Sequence, residues 1–161
     1  MSSKAADNIT NLLAKTSCYC LNEDPRAPWT HLLVGDETLA LKSDTDEQIV
    51  LHLAFAQTCS LNKLVFGVPN DDTAPGTVKL FLNQNNIGFS DANEMKPIQI
   101  CQLTPGQEIT IDLSPAKWSR TESITIFVQD NHGSSISSLH SIRIYGSAVM
   151  NSANGELKQC C

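Results

Sequence analysis

The feature that most constrains this chain is a two-residue apolar period that recurs, segment after segment, between clusters of turn residues. Ile49, Leu51, Leu53 and Phe55 alternate with Gln48, Val50, His52 and Ala54, and side chains two residues apart share one face of a strand. The same alternation returns in Leu64, Phe66 and Val68, in Val78, Leu80 and Leu82, and in Ile109, Ile111 and Leu113. It recurs again in Ile124, Ile126 and Val128 and in Ile142 and Ile144. Between these segments, residues 69–76, Thr104-Pro105-Gly106 and Asn131-His132-Gly133 offer side chains that preset or tolerate turn dihedrals. Strand follows strand without room for crossover helices, which predicts antiparallel pairing. Seven or more short strands predict an all-β sandwich of two antiparallel sheets rather than a barrel, each strand supplying one inward face. The strand at 77–83, with Phe81 opposite Leu80, reads as apolar on both sides, so its outer aromatic calls for a covering loop.

Upstream the pattern changes. Asp7 or Asn8 can cap a helix, and Ile9, Leu12 and Leu13 make one apolar face, so a short N-terminal helix is expected that must dock to persist. Two prolines in Asp24-Pro25-Arg26-Ala27-Pro28-Trp29 predict a surface loop anchored by Trp29. A length of 161 residues is that of one domain, divided here into a flexible N-terminus over 1–7, the folded domain over 8–150 and a flexible polar tail over 151–161, where Leu157 is the one large apolar side chain.

The chain has 11 Lys and Arg against 17 Asp and Glu, a net charge of −6, which opposes the many cationic contacts that phosphate-backbone binding needs; no nucleic-acid partner is expected. No apolar run approaches the roughly 20 residues of a membrane helix, and no secretory signal pattern opens the chain. The expectation is a monomer in the cytoplasm and nucleus with no membrane partner, and its six cysteines are expected to be thiols.

Catalytic motifs are missing: there is no phosphate-binding glycine loop, no Gly-x-Ser-x-Gly, no His-Glu-x-x-His and no Cys-x-x-Cys, so no enzyme activity and no cofactor are expected. Cys18 and Cys20, with the terminal Cys160 and Cys161, are the candidate redox thiols, and the same four could in principle meet at a metal, although zinc sites usually space their ligands differently. The Cys160-Cys161 ending also resembles a double-prenylation signal. The acidic runs Asp44-Thr45-Asp46-Glu47 and Asp71-Asp72 read as solvated turns before they read as calcium loops, and His31, His52, His132 and His140 are scattered without ligand spacing. No metal site is expected.

Several phrases in order carry a resemblance. Cys20-Leu21-Asn22-Glu23, Leu41-Lys42-Ser43-Asp44-Thr45-Asp46-Glu47-Gln48 leading into a strand, and Val78-Lys79-Leu80-Phe81-Leu82-Asn83 with Phe89 and Ala92 following are joined by Ser123 to Asn131 and Ile142 to Gly146. In this register the chain resembles the PITH domain, the proteasome-interacting module found at the C-terminus of thioredoxin-like protein 1 and in stand-alone PITH-domain proteins. The resemblance implies a jelly-roll β-sandwich of the galactose-binding type and a non-enzymatic module that docks on the regulatory particle of the 26S proteasome. The thioredoxin domain is missing from this chain, so a redox cargo is not implied. Recognition on a rigid scaffold usually falls to loops, which makes Asn22, Glu23, Trp29, Asp71, Asp72, Asp130, Asn131 and His132 the partner-binding candidates. Two other functions stay open: a small-ligand or glycan-binding jelly roll, and a thiol redox accessory protein.

Overall fold

The structure, a computed structural model, describes residues 6–36, 38–106 and 108–149. Its strands are β1 (Asp7–Asn8), β2 (Tyr19–Leu21), β3 (Leu41–Lys42), β4 (Ile49–Gly67), β5 (Thr77–Leu82), β6 (Gln99–Gln102), β7 (Glu108–Asp112), β8 (Thr121–Val128), β9 (Ser138–Leu139) and β10 (Ser141–Ala148). One α-helix, α1 (Phe89–Glu94), follows β5, and three 3-10 turns lie at Thr10–Leu12, Lys15–Ser17 and Trp29–Leu33. Every ladder is antiparallel, as the short connections require.

The organising element is β4, which the sequence pattern divides in two but which runs unbroken for 19 residues. Its first half pairs with β2 and β8, and its second half with β7 and β10. A straight strand of that length would span roughly 60 Å. Yet Glu47, just before it, accepts the Ser137 hydroxyl at 2.7 Å, and Gly67, at its end, accepts the His140 amide at 2.8 Å. Residues 137 and 140 can stand no more than about 11 Å apart. The strand therefore folds back on itself, and its halves serve two facing sheets: β2, β4, β8, β5 and β6 in one, β1, β10, β4 and β7 in the other. The fold-back lies where the pairing with β8 breaks register, between Ala54 and Cys59. A second irregularity opposite Tyr145 and Gly146 leaves Asn62 without a partner on β10, and the inward side chains change from odd (Cys59, Leu61) to even (Leu64, Phe66) across it. Gly146 is required there, because a Cβ would overlap the Ser60 carbonyl oxygen.

Ile49, Leu51, Leu53 and Phe55 meet Leu64, Phe66, Val68, Ile124, Ile126, Ile142 and Ile144 in one core, as the alternation predicts. Trp118 plugs the fold-back end, wholly buried, with its indole N–H donated to the Gln99 side chain at 3.3 Å. On the outer face of the first sheet a smaller core gathers Val50, Phe81, Phe127, Ile87 and Ala92. Its cover is α1, which begins at Gly88, whose amide the Asp91 carboxylate accepts at 3.1 Å, and which lays Phe89 edge-on against Phe127 at 6.4 Å. That is the covering segment Phe81 calls for.

The N-terminal segment departs from expectation: residues 7–17 form β1 and two 3-10 turns in place of a helix. The Ile9 amide goes to the Ile144 carbonyl, Leu13 bridges to Phe55, and Asn8 Oδ1 takes the Thr10 amide and hydroxyl. A two-turn helix is marginal alone, so pairing with a preformed sheet edge outcompetes it. Residues 1–5 and 150–161, which hold most of the expected flexible termini and both Cys160 and Cys161, lie outside the described residues.

Candidate functional site

Loops 22–28, 43–48, 69–76, 103–106 and 129–140 converge on the end of the sandwich where β4 begins and finishes. All eight candidate residues fall on this one end. Two buried serines, Ser43 and Ser137, tie it together: the Ser43 amide donates to the Ser137 carbonyl at 3.0 Å, and the Ser137 amide donates to Ser43 Oγ at 2.8 Å. The pair stands 94 residues apart in the chain, so nothing local announces it.

Asn22 holds the acidic loop from below. With φ of 69°, a region that asparagine tolerates, it donates to the Asp46 carbonyl and carboxylate at 3.3 and 2.9 Å and to the Gln48 carbonyl at 2.7 Å. Its Oδ1 accepts the Thr45 amide and hydroxyl at 3.0 and 2.9 Å. Asn131 does the same for the neighbouring loop, donating to Ser134, Ile136 and Ser137 and accepting the Gly133 and Ser134 amides. Glu23 accepts the Trp29 amide at 2.8 Å, and Trp29 itself is buried in the core. His132 donates from Nε2 to the Leu103 carbonyl at 2.8 Å. Asp130 accepts the Thr77 amide at 2.7 Å.

What remains outward is mostly acidic, with Arg26 and Lys42 as exposed cations among the carboxylates. Asp44, Asp46, Asp71, Asp72 and Asp130 are exposed along this rim. The hydroxyl and amide of Thr73 hold the Asp71 carboxyl below the usual carboxylate range, so it stays charged at neutral pH. No cluster of three metal-ligating side chains occurs among the described residues.

The thiols sit elsewhere. Cys18, just before β2, and Cys20, within it, face the main core, with Cys18 Sγ 3.4 Å from the Ala14 carbonyl, and Tyr19 between them stacks outward on His52 at 4.8 Å. Burial pushes both thiols up, Glu23 adding to the effect at Cys20, and it pushes Cys101 up to about 11. Redox chemistry proceeds through the thiolate, which these surroundings disfavour. His52 is buried with Nδ1 2.9 Å from the Thr125 hydroxyl, and burial holds its pKa below the ordinary histidine value.

Comparison with known proteins agrees with this architecture. Among solved structures, the family 32 carbohydrate-binding module of Clostridium perfringens in complex with galactose superposes with a TM-score of 0.67 over 88% of this chain and 98% of that one, at 9% identity. A fucose-binding module of Streptococcus pneumoniae superposes with a TM-score of 0.60 over 86% of this chain and 97% of that one, at 16% identity. Identities this low show the shared galactose-binding-like jelly roll and nothing about ligand. In sequence, the chain is 27% identical to thioredoxin-like protein 1 of Schizosaccharomyces pombe over 97% of its own length and 57% of that protein's. It is 30% identical to a PITH domain-containing protein of Drosophila melanogaster over 66% of its own length and 51% of that protein's. The chain thus matches little more than half the length of these curated relatives. The profile of the PITH domain matches residues 1–160, and the chain belongs to the PITH domain family.

Proposed function

We propose that the chain is a non-enzymatic interaction module that docks on the regulatory particle of the 26S proteasome, in cytoplasm and nucleus, and recruits to it or modulates it. The observation that carries this reading is family membership across essentially the whole chain, in a family that the resemblance above ties to the proteasome. The site geometry is consistent with a binding rather than a catalytic role. Asn22 and Asn131 spend their side chains on neighbouring backbone, which makes the loop end a fixed platform, and the inward thiols are poor nucleophiles. Loops held on a rigid scaffold are where recognition surfaces are usually built.

The competing reading, glycan binding, draws on the fold of the structural neighbours. Sugar sites lean on exposed aromatic faces, and here Trp29 and Trp118 are both buried, while the Tyr145 ring lies under the Lys63 ammonium at 4.8 Å. The chain itself therefore favours a protein partner. The test is a tagged pull-down from native-cell lysate with ATP present, scored by quantitative mass spectrometry against a fold-matched sandwich. Stoichiometric enrichment of regulatory-particle subunits is expected; none, with intact proteasome in the lysate, overturns the reading.

A further inference from the structure

Beside the acidic end, a groove of about 770 Å³ runs between the segment that follows Trp29 and the mouth formed by β4, β7 and β10. Its volume is within the range of ligand sites, roughly 300–1,000 Å³. The apolar part is Leu32, Leu33, Val68 and Ile142. The polar part includes Asn8, Thr10, Asn70 and Ser141, with Arg143 and Glu108 paired at 2.8 Å along one side and Asp36 on the other. Gly35 and Gly106 stand at its margins in turns with φ of 81° and 150°, and nothing lies within 4 Å of where their Cβ atoms would be. Val34, 59% exposed and one of two large apolar residues that the described surface leaves in water, adjoins the rim.

His140 supplies the second observation. The half-buried residue lines the groove, while its Nδ1 is turned away from solvent and has no hydrogen-bond partner among the described residues, so a small rotation of the side chain would present it to a ligand. A buried ring nitrogen left without a partner costs free energy, and a ligand polar group reaching it would recover that cost.

The lining selects among ligand classes. Among the described residues it contains no Phe, Tyr or Trp ring on which a sugar could stack. It contains one arginine, already neutralised by Glu108, which leaves phosphate-rich ligands without counter-charge. What it offers is an apolar rim at Leu33 and Val34 interleaved with amide and hydroxyl groups and, among the described residues, an imidazole nitrogen without a hydrogen-bond partner and a carboxylate without an ion-pair partner. The Thr38 hydroxyl and amide hold Asp36 below the usual carboxylate range, so that charge persists at neutral pH. We infer that this groove binds an extended peptide segment of a partner protein, one apolar side chain packed against the half-buried Leu33 and the exposed Val34 and a lysine or arginine directed at Asp36. Asp71 and Asp72, on the adjoining loop, steer the basic segment in by long-range attraction. That the partner is a proteasome subunit rests on the function proposed above; occupation of the groove by a peptide does not.

The test separates the two. The full chain, Asp36→Lys and His140→Phe are probed against a random library of peptides of about 12 residues and against overlapping peptides that tile the regulatory-particle subunits, with scrambled and charge-reversed versions beside them, and each variant is checked by thermal melting. Expected is retention of peptides that join an apolar residue to a nearby Lys or Arg, weakened about tenfold by Asp36→Lys and several-fold by His140→Phe. Asp36 is exposed, so its substitution reports on binding even if His140→Phe melts early. No retention above the scrambled peptides, a preference for acidic peptides, or binding unchanged by Asp36→Lys overturns the inference. Proteasome capture by full chain and Asp36→Lys, measured in parallel, shows whether it is the groove or the proteasome reading that has failed.

Discussion

The loop end and the groove beside it are both polar, and they use polarity in opposite ways. At the loop end, Asn22 and Asn131 each make five side-chain hydrogen bonds, all to their own chain. In the groove, among the described residues, His140 Nδ1 makes none and the Asp36 side chain bonds only to the turn at Thr38. A polar residue in a loop is thus no evidence of binding until its hydrogen bonds have been counted; what a partner can use is what the fold has left over.

The sharpest way to break that contrast is to remove a spent side chain. Asn131→Ala leaves two amides and three acceptors to find water in a tight loop and is expected to cost about 3 kcal/mol, with Asn22→Ala close behind, whereas Asp36→Lys, on a fully exposed turn, should leave the midpoint nearly unchanged. Urea unfolding measures all three, and an Asn131→Ala midpoint equal to that of the unmodified chain would sink the structural role assigned to it.

Next in size is the thiol series. Replacing Cys18 and Cys20 by serine puts hydroxyls against the core and is expected to cost about 1–2 kcal/mol. Extending the replacement to Cys160 and Cys161 should leave proteasome capture unchanged at a temperature where the protein stays folded. Loss of capture from a folded four-serine protein would revive a redox role.

A smaller effect is expected from pH. His52 is held neutral by burial, so below the unfolded histidine value of about 6.5 the unfolded chain binds a proton that the folded chain refuses. Stability should therefore fall as pH drops from about 6.5 toward the lowered folded value, and His52→Gln should flatten that part of the profile. Asp24, Asp36 and Asp71 have lowered values; their contribution is present above the unfolded carboxylate range and is lost only as pH falls through the folded values, below about 4.

The smallest change in stability belongs to the rim. Asp71→Asn with Asp72→Asn should leave the melt nearly unaltered and slow association with the partner a few-fold, more at low salt than at high. Stopped-flow association at two ionic strengths reads this, and an unchanged rate would remove the steering role.

Much of the fold is legible before any coordinates, because a period of two reports directly which side chains face inward. The pattern at 49–55 and 64–68 marks both halves of β4, but Ala56, Gln57 and Thr58 read as an interruption. In the structure the chain keeps its extended conformation through them and folds back, a feature that only the second sheet dictates. The helix expected at residues 7–15 failed for a related reason: local propensity was weak, and the edge of β10 was there to pair with. Helix α1, six residues long, is too short for periodicity to reveal, although Phe81 called for a cover. Of the candidate site, the turn residues were legible and their convergence was not, since Ser43 and Ser137 join loops from opposite ends of the chain. The groove left no trace at all: Leu32, Asn70, Glu108 and His140 are far apart in sequence and meet only through topology.

The most direct test of the account is binding between the purified chain and purified 26S proteasome, followed by sedimentation with ATP present. Co-sedimentation with the regulatory particle at about one copy per particle, saturable and reduced by Asp36→Lys, is the predicted result. A folded chain that stays at the top of the gradient at every proteasome concentration would contradict it.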